Sequence, residues 1–126
     1  MKTIEIGRIG EKAATRFLKK NRYKILNKNL HISRNEIDII AEDKEFVVFV
    51  EVKTRSVSSG ADAIGFIVPS QAVTKEKQQR TITAARSFLS GYKKARQPRF
   101  DVIEIYLNKE NQKVIKINHI INAFGA

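Results

Sequence analysis

The stretch FVVFVEVKT, residues 46–54, holds five consecutive apolar residues followed by two charged ones among apolar neighbours. Side chains of a strand alternate between the two faces of a sheet. Because residues 46–50 are apolar on both faces, they predict a central strand that is covered on both sides. Glu51 and Lys53 then place charges on a face that was apolar up to that point. A break of this kind in a buried pattern indicates a functional position.

Periodicity predicts the elements around this strand. Apolar residues at steps of three and four indicate helices, and alternating or β-branched runs indicate strands. The bounds are helices over residues 5–21 and 71–92 and strands over 23–31, 36–41, 46–54, 100–107 and 114–120. The strand at 23–31 is the weakest prediction, because polar residues 27–29 interrupt it. Residues 56–62 are predicted as a loop before a short apolar segment at 63–68.

Length and composition predict a single globular domain over residues 1–126. The chain has no cysteine, which excludes disulfides, thiolate zinc sites and cysteine nucleophiles. Charged residues interrupt the N-terminal segment where a signal peptide needs an apolar run, and the longest apolar run, at 63–69, is far shorter than the ~20 residues of a membrane-spanning helix. We therefore expect a cytoplasmic protein with no membrane partner.

The net charge of +11 is unevenly distributed. Residues 1–29 hold nine Lys and Arg against two Glu, and residues 71–99 hold eight against one. Residues 30–70 instead hold seven acids against four bases. Two basic flanks predict a polyanionic partner, since Lys and Arg that neutralise phosphates release condensed counterions. An acidic centre between them predicts a divalent cation that bridges carboxylates and phosphates.

The acidic centre is expected to converge on the two hairpin strands, which are joined by a polar loop at residues 42–45. Symmetry about the middle of this loop would place Glu36 opposite Glu51, with Asp38 one diagonal step away, ~7–8 Å at the backbone. Mg²⁺, or Mn²⁺ in its place, suits Asp38 and Glu51, because it takes one or two carboxylates plus water and phosphate. Lys53 could orient or deprotonate the attacking water and stabilise charge on the phosphate. The acids of the loop itself, residues 42–45, are interpreted as ordinary turn residues.

An alternative for Lys53 is an ordinary salt bridge to Glu51 or Glu36 on a solvated face, and short motifs of this kind recur by chance. His31 and His119 are isolated in the sequence, with no paired spacing for zinc. Both are interpreted as structural or surface residues.

Several short motifs together resemble a known family. The spacing of Asp38 to Glu51-Val52-Lys53 resembles the D…(D/E)xK signature of the PD-(D/E)xK nuclease superfamily, and the chain as a whole resembles the YraN-like family placed in it. Asn35 departs from the family pattern, which usually has Gly at that position. The matching residues are Gly7, Gly10-Glu11, Ala13-Ala14, Glu36-Ile37-Asp38, Ile40-Ala41, Phe49 to Arg55, Lys77, Arg80, Ala84 and Arg99-Phe100-Asp101-Val102.

The resemblance implies an α/β, restriction-endonuclease-like three-layer core, α-β-β-β-α-β, with a central mixed sheet flanked by helices. It also implies a metal-dependent endonuclease that hydrolyses DNA phosphodiesters, with branched or structured DNA as a candidate substrate and a homodimer as the candidate assembly. Glu11 would lie near the metal by analogy with junction-resolving relatives; an exposed Glu beside Lys12 or Thr15 is the alternative. The Val52 carbonyl would complete the metal site. The residues expected to contact nucleic acid are Arg55, Lys77, Gln79, Arg80, Lys12 and Arg16.

Two other functions fit the same sequence. The charge distribution alone suffices for a non-catalytic nucleic-acid-binding module, and fold does not establish catalysis. A protein-interaction domain whose basic surface meets an acidic partner is a third hypothesis. The choice between DNA and RNA is left open by the sequence.

Overall fold

The computed structural model describes residues 3–58 and 73–125, which form two helices and five strands. Neither helix in these ranges is long and apolar enough to cross a membrane. The elements are α1 (Thr3–Lys20), β1 (Lys24–Ile32), β2 (Asn35–Glu42), β3 (Phe46–Val57), α2 (Lys75–Leu89), β4 (Gln97–Asn108) and β5 (Val114–Phe124).

The five strands form one mixed sheet in the order β1-β2-β3-β4-β5. β3 is central, antiparallel to β2 and parallel to β4. Helix α1 packs on one face of the sheet and α2 packs on the other, each over its own apolar cluster. The predicted α/β class, with a mixed sheet flanked by helices in three layers, is confirmed.

The apolar run of β3 supplies both halves of the core. Val48 and Val50 pack into the cluster beneath α1, whereas Val47 and Phe49 pack into the cluster beneath α2, and none of the four exposes more than 1% of its surface. Burial of a side chain of this size contributes about 1.5–3 kcal/mol. Two-sided burial thus explains why the run has no polar alternation until Glu51.

β1, the weakest of the predicted strands, is a full strand of nine residues. It pairs antiparallel with β2, and a register shift between Ile25 and Asn27 absorbs the polar interruption. Asn29 adopts a left-handed conformation, φ 52°, which Asn tolerates better than most residues. The polar residues therefore disturb the pairing of β1 with β2 but do not end the strand.

The predicted ends of four elements were wrong by three or more residues. β4 begins at Gln97 instead of residue 100, and β5 ends at Phe124 instead of residue 120. Helix α2 begins at Lys75, because the Thr74 side chain accepts a hydrogen bond from the backbone N–H of Lys77 (3.2 Å) and caps the helix. It ends at Leu89, three residues short of the predicted end at residue 92. β3 continues to Val57, so the predicted loop cannot begin at residue 56. The rest of that loop from residue 59, the apolar segment 63–68 and positions 71–72 of the predicted helix lie outside the described residues.

The register predicted for the β2–β3 hairpin was also wrong. Asp43 closes the turn: its Oδ1 accepts hydrogen bonds from the backbone N–H groups of Glu45 (2.8 Å) and Phe46 (2.7 Å). The observed pairs include Glu42 with Val47 and Ile39 with Val50, a slip that gives a shorter turn than the symmetric loop assumed. Continued beyond Ile39, this register would set Asp38, rather than Glu36, opposite Glu51.

Glu42 is not a turn residue, as had been expected, but the last residue of β2 and only 4% exposed. Its carboxylate accepts hydrogen bonds from the Lys94 Nζ (2.7 Å) and the Tyr92 hydroxyl (3.1 Å), and Arg96 lies 3.4 Å away. The hydrogen bond from Lys94, together with Tyr92 and Arg96, outweighs burial and lowers the pKa of Glu42 below its ordinary value of 4.5. This cluster fastens the hairpin to the segment between α2 and β4.

We expect Glu42→Gln to lower the free energy of unfolding at pH 7 by about 1–3 kcal/mol, because a buried, hydrogen-bonded charge pair is broken. A carboxyl whose pKa is lower in the folded state than in the unfolded state stabilises the protein at pH values above the unfolded-state pKa. This stabilisation is lost as the pH falls through the folded-state pKa. The difference between wild type and variant, measured by urea unfolding, should therefore shrink as the pH falls below about 4.5. Glu45→Gln, at an exposed neighbouring glutamate, is the control. A difference that does not vary with pH would contradict the charge-based explanation.

Candidate functional site

The candidate site lies where β2 and β3 separate. Their pairing stops at Ile39 and Val50, and the carboxylates of Asp38 and Glu51 follow immediately beyond the last pair. The Asp38 Oδ2 accepts a hydrogen bond from the Val52 N–H (2.8 Å), so the side chain occupies the gap that opens between the strands. The N–H and C=O of one strand residue point toward the same neighbouring strand, and the Val52 carbonyl therefore faces the same gap.

The surroundings of Asp38 disfavour its negative charge. Burial is the largest cause, the neighbouring charge of Glu51 adds to it, and together they raise the pKa of Asp38 from 3.8 to about 7. Glu11 contributes in the same direction, whereas the Val52 hydrogen bond and Lys77 oppose the rise. A carboxyl held in this way is poised near neutrality and gains from a nearby cation.

Glu51 is buried, with only 5% exposed, and two lysines contact it through the same oxygen. The Lys77 Nζ lies 2.5 Å and the Lys53 Nζ 3.5 Å from Oε1. Burial opposes the charge of Lys77, but the hydrogen bond to Glu51 and the nearby carboxylates outweigh it and raise the pKa of Lys77. Both lysines thus form ion pairs with the second carboxylate of the site.

Asp38 lines three cavities, which open on both sides of the sheet. One, of about 220 Å³, lies toward α2 and is also lined by Glu36, Glu51, Lys77 and Arg80, together with Arg34, Asn35 and Thr81. The other two, of about 460 and 280 Å³, lie along α1, and Glu11 lines both. Asp38 is therefore the acid that the three cavities share, with Glu51 on the α2 side, Glu11 on the α1 side and Glu36 lining one cavity on each side.

The remaining predicted residues differ in how they are placed relative to the cavities around Asp38. Lys12 lines one of the α1 cavities together with Asp38, and Arg16 lies further along the same helix. Arg80 lines the α2 cavity but is paired with Glu76 at 2.6 Å. Gln79 is exposed on α2 and lines none of these cavities. Arg55 is half-buried on β3, four residues beyond Glu51.

The donor set fits magnesium more closely than zinc. Within residues 3–58 and 73–125, no group of three or more His, Cys, Asp or Glu side chains lies close enough together to hold a metal ion. Asp38, Glu51 and the Val52 carbonyl nevertheless match the usual magnesium site of one or two carboxylates completed by water and substrate oxygens. Both Glu51 ion pairs use Oε1, so an ion at this site competes with two ammonium groups.

Sequence reasoning missed the role of Lys77 as the nearer partner of Glu51. It also missed a fully buried carboxylate on β4, Asp101, which accepts two hydrogen bonds from Arg99 (2.9 and 2.8 Å) and lies 2.7 Å from the His119 Nε2. Tyr23 extends this network through its hydroxyl, which accepts from Arg99 at 2.7 Å. His119 is therefore structural, one of the two roles expected for it. Two sequence signals pointed to Asp101: it is a charge inside an apolar strand pattern, and it belongs to the Arg99 to Val102 motif of the resemblance.

Comparison with known proteins identifies the family. The model of the Uncharacterised protein family UPF0102 matches residues 10–105, which is most of the chain. This protein belongs to the UPF0102 family. A UPF0102 protein of Caldanaerobacter subterraneus subsp. tengcongensis is 46% identical over 120 residues, covering 94% of this chain and 93% of the relative. A UPF0102 protein of Caldicellulosiruptor saccharolyticus is 42% identical over 125 residues, covering 98% and 100%.

The match to UPF0102 extends from Gly10 on α1 to Ile105 on β4. It therefore includes the acids and lysines of the candidate site, which are Glu11, Glu36, Asp38, Glu51, Lys53 and Lys77. The resemblance drawn from the sequence motifs is confirmed at the level of this family.

Proposed function

We propose that this UPF0102 protein is a metal-dependent nuclease that hydrolyses DNA phosphodiesters. The observation that carries the proposal is the seating of Asp38 in the gap between β2 and β3, beside Glu51 and at the junction of three cavities. A carboxyl with a pKa raised by burial and by a second carboxylate is suited to share a divalent cation with that neighbour. Basic side chains at the rims of the cavities are suited to phosphates.

The order of the site residues along the chain also supports membership of the PD-(D/E)xK superfamily. Asp38 lies just beyond the part of β2 that pairs with β3, and Glu51-Val52-Lys53 lies just beyond the paired part of the antiparallel neighbour, with helices on both faces of the sheet. The D…(D/E)xK signature requires this convergence of carboxylates from adjacent strands.

Each residue has a separate task in this proposal. Asp38, Glu51 and the Val52 carbonyl would hold Mg²⁺ or Mn²⁺, which when bound polarises a phosphate oxygen and lowers the pKa of water. Lys53, on the same strand face as Glu51, would orient the attacking water and stabilise charge on the phosphate. Lys77 holds the Glu51 carboxylate in place from α2. Glu11 and Glu36 line the entrances to the gap, where they would order water rather than bind the ion directly.

A second candidate is nucleic-acid binding without cleavage. The two lysines on the Glu51 Oε1 favour it, because they already neutralise one of the two carboxylates. In this case the gap would be a structural ion-pair network and the basic surfaces would carry the function.

Lys53→Ala distinguishes these two functions. Loss of a positioned acid–base group typically costs about 10²–10⁴-fold in rate, so we expect metal-dependent cleavage to fall by about 10²-fold. The assay uses branched, flapped and single-stranded DNA with Mg²⁺ or Mn²⁺. Because the proposed ligands Asp38, Glu51 and the Val52 carbonyl are unchanged, the thermal stabilisation that the metal produces should remain.

The control is Lys44→Ala, at an exposed lysine of the β2–β3 turn, which should cleave like wild type. Salt-sensitive DNA binding by wild type with no metal-dependent cleavage of any substrate would support the second candidate instead.

A further inference from the structure

The cations on the two helices differ in their partners. On α2, Lys77 is paired with Glu51 and Arg80 with Glu76. On α1, exposed basic residues recur at steps of three and four and so form one stripe along the helix. Within the described part of the chain, none of the stripe residues or the neighbouring β1 lysine forms an ion pair with an acidic side chain; these residues are Arg8, Lys12, Arg16, Lys19 and Lys28.

The same five residues line a continuous groove between α1 and β1. A cavity of about 360 Å³ is lined by Lys12, Arg16, Lys19 and Lys28, with Thr15. The adjoining cavity of about 280 Å³ shares Lys12 and Lys28 with it and continues past Arg8 to Asp38. We name this surface the α1–β1 groove. It leads from the far end of α1 to the gap between β2 and β3.

We infer that the α1–β1 groove binds the sugar–phosphate backbone of one DNA strand and leads it to Asp38. This inference rests on the proposed function and adds to it the path of the substrate. Charge complementarity selects the occupant, because five unpaired cations in a row match a row of phosphates. From Arg8 to Lys19 the helix rises about 16 Å, over which one strand of B-DNA rises through about five nucleotides.

In this inference the groove contacts the DNA backbone and not the bases. Among the described residues that line its two cavities there is no aromatic side chain on which a base could stack. Apart from the cations, the lining is made of hydroxyl, amide and aliphatic groups and two acids, Glu11 and Asp38, both in the cavity that reaches the gap. Binding should therefore be independent of base sequence and strongly dependent on salt.

The test is the binding of fluorescently labelled 20-nucleotide DNA to the full chain in EDTA, which prevents cleavage, over a series of salt concentrations. The double variant Arg16→Ala/Lys19→Ala removes two groove cations that line only the cavity away from Asp38. Each phosphate contact with a single strand contributes about 0.7 to the slope of log K against log salt, so the slope should fall by about 1.4 and the affinity at 0.15 M salt by about tenfold. Oligo-dT and mixed-sequence DNA should be affected equally.

Lys113→Ala/Lys116→Ala is the matched control, because it removes two exposed lysines at and beside β5 and causes the same change in net charge. Equal loss of affinity in the two double variants would overturn the groove while leaving the nuclease proposal intact. Failure of wild type to bind any DNA would overturn both. If the groove double variant loses as much affinity for polyglutamate as for DNA, the groove is a general anion-binding surface, and this result would also overturn the inference.

Discussion

Asp38→Asn should strongly reduce metal-dependent cleavage and, in the absence of metal, make the protein more stable at pH 8. The pKa of Asp38 is raised from 3.8 to about 7, first by burial and then by Glu51. A carboxyl whose pKa is higher in the folded state destabilises the protein as the pH rises from its unfolded-state pKa to its folded-state pKa. In that range the carboxyl ionises in the unfolded chain but stays protonated in the folded one. Asn is isosteric, can still accept the hydrogen bond from Val52, and does not ionise. After discounting for partial exposure, we expect a gain of about 2 kcal/mol above pH 7.

The pH dependence gives this prediction its sign. The stability advantage of Asp38→Asn, measured by urea unfolding in EDTA, should be greatest above pH 7 and absent below about pH 4. Mg²⁺ or Mn²⁺ at pH 8 should raise the melting temperature of wild type and not that of the variant, since a ligand stabilises only the state that binds it. Cleavage should fall by about 10³-fold, as expected for loss of electrostatic stabilisation of the transition state.

Glu110→Gln, at an exposed acid on the turn after β4, is the control for the change in net charge. Two results would contradict the proposal for Asp38. One is a variant less stable than wild type at every pH, which would mean that the carboxylate is simply well paired. The other is equal stabilisation of both proteins by the metal.

Gly10→Ala should destabilise the protein by about 2–3 kcal/mol, or roughly 5–10 °C in melting temperature. Helix α1 crosses β3 so closely at this buried glycine that a Cβ would overlap the Thr54 side chain, with the Cβ and Cγ2 of Thr54 each 2.8 Å away. Thr54 is β-branched and has little rotamer freedom, so the helix must move. Movement of α1 would also shift Glu11, which lines two cavities with Asp38.

Gly7→Ala is an informative control, because it is one turn earlier on the same helix and a Cβ there meets nothing within 4 Å. Ala is about 0.5–1 kcal/mol better than Gly in a helix interior, so this variant should be slightly more stable than wild type. Thr54→Ala combined with Gly10→Ala should recover part of the lost stability. If the two glycine variants behave alike in thermal unfolding, close packing of α1 on β3 is not the reason for Gly10.

Most of the fold could be predicted from local sequence patterns. The two-sided apolar run of β3 and the helical period of α1 depend on residues a few positions apart, and both elements were predicted near their observed bounds. The register of the hairpin was not predictable in the same way. It depends on one side chain, Asp43, which accepts two backbone hydrogen bonds and shortens the turn. A polar residue in a turn looks the same in sequence whether it closes that turn or is merely solvated.

The residues of the candidate site also differ in whether local sequence patterns could identify them. Asp38, Glu51 and Lys53 could be identified from the sequence because they interrupt apolar strands within a short hairpin. The pairing of Lys77 with Glu51 joins residues 26 positions apart, and no periodicity connects a helix surface to a particular strand residue. The burial of Glu42 likewise depends on Tyr92 and Lys94, which follow α2.

By itself, the sequence determined the α/β class, the central position of β3, the two basic flanks and the acidic centre between them. These properties follow from residue type and short-range period, which the chain carries before it folds. Only the tertiary structure decided that Asp38 enters the gap between β2 and β3, that Lys77 neutralises Glu51, and that the cations of α1 are left without acidic partners among the described residues. These depend on strand register and on which helix packs on which face, because charges from distant parts of the chain meet only when both are set.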